Sequence, residues 1–165
     1  MLTYFNYAVQ LQEVPDEISL VFYIAGCPHH CVDCSSPWLQ TKGDYILTDE
    51  VILNAIAEKP YASCVVLMGG DADHEELARL ADTIHKVHKS VCVFSGDDIF
   101  DKKLASHLDY YKVGSWQRDK GPLNCKTTNQ HMYYSPALGE YVDITYKYQT
   151  KEAEWRSAQE KNLND

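Results

Sequence analysis

Three cysteines stand close together near the start of the chain, and their spacing limits what this segment can be. The run Gly26-Cys27-Pro28-His29-His30-Cys31-Val32-Asp33-Cys34 places Cys27, Cys31 and Cys34 in a C-x3-C-x2-C pattern. Three thiolates on one short loop suit an iron–sulfur cluster, since soft sulfur ligands favour iron–sulfur chemistry. A [4Fe-4S] cluster has four irons, so three cysteines leave one iron without a protein ligand and able to bind a substrate.

Other kinds of site are compatible with the same three cysteines. A structural zinc ion would take the three thiolates together with His29 or His30, which lie between the first two cysteines. The last two cysteines alone form a C-x-x-C redox pair, although the first cysteine then has no role. An electron-transfer iron–sulfur protein is disfavoured because it normally supplies a fourth protein ligand to the cluster. Cys125, in a predicted loop, is a candidate for such a ligand.

Composition and charge restrict the class of protein. The chain has 165 residues, 45% of them hydrophobic, which suits one domain with a substantial core. Its formal net charge of -9 excludes a broad electropositive surface for nucleic acid. The N-terminus lacks a signal-peptide pattern, and the longest apolar run, residues 20–26, is far shorter than the ~20 residues of a membrane span. We therefore predict a cytoplasmic protein with no nucleic acid or membrane as partner, whose clustered cysteines are metal ligands rather than disulfides.

Short apolar runs alternate along the chain with segments of helical periodicity. This pattern is typical of β/α units and predicts an α/β fold with a parallel sheet. We predict strands at 18–24, 64–68, 91–94, 110–113, 130–135 and 140–148, and helices at 49–59, 73–89 and 98–107. Residues 1–165 are expected to form a single domain, with 150–165 as a polar C-terminal tail. Cys64 and Cys92 fall within apolar strands and are predicted to be core residues.

Two motifs directly follow predicted strands. The cysteine loop follows strand 18–24, and Gly69-Gly70-Asp71 follows strand 64–68. The carboxyl ends of parallel strands meet at the same edge of a sheet, where functional loops gather. Both motifs are therefore expected on one rim, which indicates that they act together.

Four segments of the chain resemble a known family. The run ISLVFYIAGCPHHCVDCSSPW at 18–38 is similar to the opening of the radical S-adenosylmethionine (SAM) activating proteins of anaerobic ribonucleoside-triphosphate reductases. Met68-Gly69-Gly70-Asp71 stands where that family has a Gly-Gly-acid turn. Asp109-Tyr110-Tyr111-Lys112-Val113-Gly114 and Thr128-Asn129-Gln130 resemble its Asp-x-x-x-x-Gly stretch and its Ser/Thr-x-Asn-Gln closure. The similarities occur in the expected order.

The resemblance implies a fold, two cofactors and a reaction. The fold would be a partial, open (β/α) barrel of mostly parallel strands. Cys27, Cys31 and Cys34 would hold three irons of a [4Fe-4S] cluster, and the amino and carboxylate groups of SAM would chelate the fourth. An electron from a donor such as a flavodoxin would cleave SAM into methionine and a 5′-deoxyadenosyl radical. In this family the radical removes a hydrogen from a glycine in the large subunit of the anaerobic ribonucleoside-triphosphate reductase.

Two alternative functions stay open beside this one. Within the same superfamily, the chain would activate another glycyl radical enzyme or act on a small molecule. In a different class, it would be a zinc-stabilised binding module, a colourless protein without affinity for SAM.

Given SAM as the cofactor, position on the rim and side-chain chemistry predict the residues that contact it. Gly69 and Gly70 would let the backbone approach the methionine part, since glycine permits close contact and positive φ. Asp71 would accept hydrogen bonds from the α-ammonium group, which is a charge-assisted contact. Ser95, on the same rim, would meet the ribose, and the pair Asn129-Gln130 would complete the pocket or the substrate face.

The chain departs from the family pattern at three places. Asp33 stands just before the third cysteine, where the reductase activators usually have glycine. Asp71 replaces a common glutamate, and Asp97-Asp98 stands where an aromatic residue is more frequent. A carboxylate at position 33 would add negative charge beside the cluster loop. These departures indicate a divergent member of the family.

Overall fold

The described part of the chain folds into a mixed α/β structure. A computed structural model describes residues 1–137 and 139–151. Its strands are β1 Thr3–Gln10, β2 Ser19–Ile24, β3 Tyr45–Ile46, β4 Cys64–Met68, β5 Ser90–Phe94, β6 Tyr110–Val113, β7 His131–Tyr134 and β8 Val142–Asp143. Its helices are α1 Asp49–Glu58, α2 His74–His85 and α3 Lys102–Ala105, with 3-10 helices at Pro37–Gln40 and Thr145–Lys151.

All eight described strands belong to one open sheet. Their order is β3-β1-β2-β4-β5-β6-β7-β8, so β3 and β8 are its edges. The central strands β2, β4, β5 and β6 are parallel, which confirms the predicted α/β class. The flanking pairs β1/β3, β1/β2, β6/β7 and β7/β8 are antiparallel. The prediction of mostly parallel strands is therefore wrong: no described helix lies between β1 and β2 or between β6 and β7, and antiparallel neighbours need no such crossover.

The predicted elements agree best in the centre of the sheet. β4 and β6 have the predicted bounds, and β2, α1, β5 and β7 differ by one or two residues at their ends. Thr48 caps α1, its side chain accepting the backbone N–H of Val51 at 3.3 Å. Strands β1 and β3 were not predicted at all. None of the helices in the described part of the chain combines the length and apolar character that a membrane crossing needs.

Three predicted elements are shorter than expected, each for a local reason. Helix α2 ends at His85 rather than 89, and His88 just beyond it is in the left-handed region with φ of 58°. Helix α3 begins only at Lys102, because the Asp101 carboxylate caps the backbone N–H groups of the following turn. The predicted strand 140–148 is two residues of β8 and then a 3-10 helix, since Asp143 accepts the N–H of Thr145 at 2.9 Å. Most of the predicted tail 150–165 lies outside the described residues, and the single-domain prediction stays a prediction.

The sheet is buried on both faces. One face packs against α1 and α2 through residues such as Phe22, Leu67, Val93, Ile52 and Leu80. On the other face lies a smaller cluster that contains Val21, Cys64, Val66, Cys92 and Met132. Successive side chains along each strand point to opposite faces of the sheet, which produces these two clusters. The prediction that Cys64 and Cys92 are core residues is confirmed, since both are 0% exposed, and burial raises the pKa of both thiols well above its ordinary value.

One row of side chains crosses the second face near the carboxyl ends of the parallel strands. The backbone register pairs Tyr23 with Met68, Met68 with Phe94, and Phe94 with Lys112. Each of these residues lies at or next to the end of its strand. The loops that carry the sequence motifs begin directly after this row, which confirms that they share one rim.

Replacing Cys64 by Ala tests the separation between core and cluster cysteines. Removing a buried sulfur should lower the free energy of unfolding by roughly 1 kcal/mol, because the neighbouring side chains lose packing contacts. Iron and sulfide bound per folded molecule should not change. Chemical denaturation and iron analysis measure the two effects, and loss of iron from this variant would contradict the assignment.

Candidate functional site

The cysteine loop leaves β2 and is tied back to its own far end. Gly26 has a φ of 79°, which turns the chain out of the strand. Its N–H donates to the carbonyl oxygen of Thr41 at 2.9 Å, and the N–H of Cys27 donates to that of Leu39 at 2.9 Å. The two ends of the loop are thus held side by side, which fixes the segment that carries all three cysteines.

An aromatic contact anchors the exit of this loop. Trp38, in the 3-10 helix Pro37–Gln40, has its ring centroid 5.2 Å from that of Phe5 and 5.5 Å from that of Tyr23. These neighbours belong to β1 and β2, so the loop packs on the sheet rather than projecting into solvent.

Two residues of the cysteine loop have left-handed backbone conformations. His30 has a φ of 46° and Asp33 a φ of 56°, and each directly precedes a cysteine. Aspartate tolerates this conformation better than most residues, whereas glycine adopts it without strain. The backbone therefore explains why Asp33 can stand where the resembled family has glycine. Its side chain pairs with Arg118 at 3.1 Å, so the added charge is balanced at the surface.

All three cysteines of the motif line one cavity of about 750 Å³. They are free thiols and half-buried. The backbone N–H of Ser36 donates to the Cys34 sulfur at 3.4 Å. Burial raises the pKa of the Cys27 thiol, and a hydrogen bond from the backbone of His29 partly opposes that rise. Because cysteine binds metal as the thiolate, metal binding would release the proton from this thiol.

The spacing of the sulfur atoms bears on whether the loop is arranged for a single ion. Among the described residues, three donor atoms of His, Cys, Asp or Glu lie within 4.8 Å of one another at one place, which contains no cysteine. Thiolates bound to zinc at about 2.3 Å in a tetrahedron would lie about 3.8 Å apart. The sulfurs of Cys27, Cys31 and Cys34 do not all lie within 4.8 Å of one another, so they do not form a ready-made site for one zinc ion.

Four of the six residues predicted to contact SAM line the same cavity as the cysteines. They are Gly69, Asp71, Ser95 and Gln130. Gly70 does not line it: a Cβ at this position would lie 3.0 Å from Leu77 and 3.3 Å from Ile24, so the residue meets the core. Asn129 also lies outside the lining. The predicted contacts with SAM stay predictions.

Asn129 joins two of the sequence motifs instead. Its side-chain amide donates to the carbonyl oxygen of Ser115 at 3.0 Å. Gly114, which precedes Ser115, has a φ of 114°, and a Cβ at this position would lie 2.8 Å from the Cα of Gln130. The Asp-x-x-x-x-Gly stretch and the Asn-Gln pair therefore pack backbone against backbone. This contact presents Gln130, which is 6% exposed, to the cavity.

The carboxylate of Asp71 connects three loops of the rim. Its side chain is 1% exposed, and Oδ2 lies 2.8 Å from Nε2 of His29 in the cysteine loop. The same oxygen accepts the backbone N–H of Gly96, after β5, at 2.8 Å. A Cβ on Gly96 would lie 2.6 Å from the His29 ring, so only glycine leaves room for this arrangement. Asp71 therefore holds the cysteine loop against the sheet.

Comparison with known proteins agrees with this geometry. Residues 18–119, more than half of the chain, match the family model described as the 4Fe-4S single cluster domain. The chain belongs to this 4Fe-4S single cluster domain family. No curated protein and no solved structure matches it.

The residues of this 4Fe-4S domain fit the cluster that its family implies. Cys27, Cys31 and Cys34 supply to one cavity three soft donors, the type that an iron–sulfur cluster requires. Cys125 is 2% exposed and is not among the residues lining the cavity, which disfavours it as a fourth ligand. The cavity itself leaves space beside the cysteines for an exogenous ligand of the fourth iron.

Lys112 is a residue of this site that the sequence analysis missed. It lines the cavity, and its Nζ donates to the carbonyl oxygens of Gly114 at 2.8 Å and Ser95 at 3.3 Å. Burial lowers the pKa of Lys112 to about 8, although the charges of Asp71 and Cys31 oppose this shift. A lysine in the middle of an otherwise apolar strand is the signal that could have found it, because such positions rarely hold an unpaired charge without a function.

Ser95 and Asp97 show how the loop after β5 is built. Ser95 is 1% exposed, and its hydroxyl oxygen accepts the backbone N–H of Asp97 at 3.0 Å. Burial, followed by repulsion from Asp71, raises the pKa of the Asp97 carboxyl. The Ser95 hydroxyl is thus already engaged within its own loop, and its predicted contact with ribose stays a prediction.

Substitutions at position 33 test the backbone explanation. Asp33→Gly should retain full iron loading, because glycine adopts the left-handed conformation without strain. Asp33→Val should load less iron, because a β-branched residue in that conformation costs about 1–2 kcal/mol. Iron and sulfide analysis after anaerobic reconstitution compares the two. Equal loss in both variants would instead implicate the ion pair with Arg118.

Replacing Lys112 by Met should stabilise the protein without its cluster. An unfolded lysine has a pKa of about 10.4, whereas the pKa of Lys112 is lowered to about 8. Between about pH 8 and pH 10.4 the unfolded chain therefore binds more protons than the folded one. The free-energy cost of burying the ammonium group is fully present below pH 8 and decreases as the pH rises above that value. At pH 7 that cost is about 3 kcal/mol, and the two carbonyls that lose their donor offset part of the gain, so the variant should melt several degrees higher than the original protein. Thermal melts at pH 7 and pH 9.5 should show this difference shrinking, and a constant difference would contradict it.

Proposed function

We propose that this chain is a radical SAM enzyme that generates a glycyl radical on the large subunit of an anaerobic ribonucleoside-triphosphate reductase. The observation that carries the proposal is one cavity of about 750 Å³ that contains three cysteines and residues from four strand ends. The family supports the cluster. The resemblance of the four sequence motifs supports SAM as the molecule that binds the cluster and the reductase as the partner protein.

The cavity offers groups suited to each part of SAM. When bound, the cluster supplies the electron that cleaves the sulfonium. Lys112 provides an ammonium group with a third donor beyond the two that it uses within the fold, and we assign it to the SAM carboxylate. Tyr23, Met68 and Phe94 form an apolar floor that excludes water from the reacting centre. The backbone at Gly69, with φ of 88°, borders the same space.

Asp71 acts in this proposal by holding the cysteine loop. Its Oδ2 already binds His29 and the backbone of Gly96, and its side chain is 1% exposed. The position of the three cysteines relative to the ends of β4 and β5 depends on these contacts. The contact predicted between Asp71 and the α-ammonium group of SAM is not needed for this role.

The rim of the cavity suits a protein as substrate. The sheet is open, so the cavity is not closed by a ring of strands. Val32, within the cysteine loop, and Ile99, in the loop after β5, are each 81% exposed. We assign these two apolar side chains to the contact with a partner protein. A glycine-bearing loop of the reductase would enter between them, and a one-electron donor such as a flavodoxin would reduce the cluster beforehand.

The first experiment measures 5′-deoxyadenosine. The protein is reconstituted anaerobically with iron and sulfide, reduced, and incubated with SAM. We expect product that depends on both reductant and cluster. Cys31→Ala should form none, because two thiolates hold the cluster poorly, whereas Cys125→Ala is the matched control and should behave as the original protein. An equal loss in both cysteine variants would contradict the ligand assignment.

A second step separates the chemistry from the partner. Adding the large subunit of an anaerobic ribonucleoside-triphosphate reductase should produce a glycyl radical visible by electron paramagnetic resonance. Product from SAM without any glycyl radical would overturn the partner and retain the radical SAM chemistry. No product from protein with an intact cluster, with or without the reductase, would overturn both.

A further inference from the structure

A second group of metal-binding side chains lies beside the cysteine loop, and the cluster does not use it. Nε2 of His29 lies 2.8 Å from Oδ2 of Asp71 and 3.4 Å from Oδ1 of Asp97. Donor atoms of all three residues lie within 4.8 Å of one another. The three come from separate loops, which follow β2, β4 and β5. The fold therefore brings one imidazole and two carboxylates together from distant parts of the sequence.

The distances suit the coordination shell of a small divalent cation. Ligands about 2.0 Å from zinc in a tetrahedron lie about 3.3 Å from one another. The 3.4 Å from His29 to Asp97 is close to that value, whereas the 2.8 Å to Asp71 is a hydrogen-bond distance that a bound ion would lengthen. One imidazole with two carboxylates is a donor set that zinc and manganese accept, whereas thiolates are the softer set that iron–sulfur clusters require.

A buried oxygen points to a missing ligand at this place. Oδ1 of Asp71 is inaccessible to solvent, and it accepts no hydrogen bond within the described residues. The whole side chain is 1% exposed. Nε2 of His74 lies 3.6 Å from this oxygen, beyond hydrogen-bond distance, and a buried carboxylate oxygen that accepts no hydrogen bond is costly because it has lost its hydration. A bound cation would supply the interaction that this oxygen lacks.

A second histidine contacts both carboxylates of this group. Nε2 of His74, the first residue of α2, lies 3.1 Å from Oδ2 of Asp97 and 3.6 Å from Oδ1 of Asp71. The other ring nitrogen, Nδ1, lies 2.9 Å from Oδ2 of Asp101. Asp101 is itself fixed, because its Oδ1 accepts two backbone N–H groups at the start of α3. Such outer contacts commonly orient the ligands of a metal ion.

The group is also reachable from the surface. A recess of about 560 Å³ is lined by His29, Asp97 and Ile99, and it shares His29 and Cys31 with the larger cavity. The side chain of Asp97 is 34% exposed and that of His29 is 20% exposed. An ion can therefore reach these two side chains from the surface.

We propose that His29, Asp71 and Asp97 bind one divalent transition-metal cation of the zinc class, at a site separate from the cysteines. Three protein ligands leave a fourth position for water. The ion would join the cysteine loop to the ends of β4 and β5 and so hold that loop in place. This inference goes beyond the proposed function and does not depend on it.

The test uses protein that already contains its [4Fe-4S] cluster, so that the cysteines are occupied. After removal of loosely bound metal, the protein is titrated anaerobically with Zn²⁺, and both zinc and iron are quantified. We expect one zinc per chain with the iron content unchanged. X-ray absorption at the zinc edge should show nitrogen and oxygen at about 2.0–2.1 Å and no sulfur at about 2.3 Å.

Two neighbouring aspartates provide a matched pair of variants. Asp97→Asn should weaken zinc affinity at least tenfold, because a ligand loses its charge. Asp98→Asn removes the same charge from the next residue, whose carboxylate accepts hydrogen bonds from Ser115, and should lower the affinity far less, because it removes no ligand. Melting curves without zinc check that both variants fold, and added zinc should raise the melting temperature of Asp98→Asn but not of Asp97→Asn. Sulfur at the zinc edge, no zinc bound, or equal losses in the two variants would overturn the site.

Discussion

The position of the cysteine loop depends on one buried carboxylate. Asp71 stands at the end of β4, where it binds an imidazole from the cysteine loop and a backbone N–H from the loop after β5. A buried charge is tolerated only when its partners are fixed, and each partner here lies on a different loop. The carboxylate therefore converts three separate strand ends into one surface. The close approach of Gly96 to His29 shows how little room this arrangement leaves.

The parallel part of the sheet supplies the frame for that surface. Strands β2, β4, β5 and β6 pair in a register that brings Tyr23, Met68, Phe94 and Lys112 into one row. Loops that leave these strands start from nearly the same level, so residues far apart in sequence meet without long connections. Lys112 is the polar member of this row. Its backbone partners, Ser95 and Gly114, belong to the two loops on either side of it, so the cation also joins neighbouring strand ends.

Sequence patterns predicted the central strands and the 4Fe-4S class of the cysteine loop because both depend on local signals. Apolar runs such as 64–68 and 91–94 are buried on both faces and have few alternatives. The antiparallel β1 and the short β8 were missed or mistaken, since their pairing depends on tertiary contacts that periodicity does not record. The same limit applies to the site. Spacing identified the three cysteines, but nothing in it links Asp71 to His29, or Asn129 to Ser115, because these contacts join residues that are 42 and 14 positions apart.

The two edges of the open sheet are each formed by a strand of two residues, Tyr45–Ile46 and Val142–Asp143. An edge strand exposes unpaired backbone groups, and a long one serves as a template on which another chain adds a strand. However, β3 pairs with only Thr3 and Tyr4 of β1, and no described strand pairs with residues 5–10 on that side. The rest of β1 is therefore the edge of this sheet to which another strand could add.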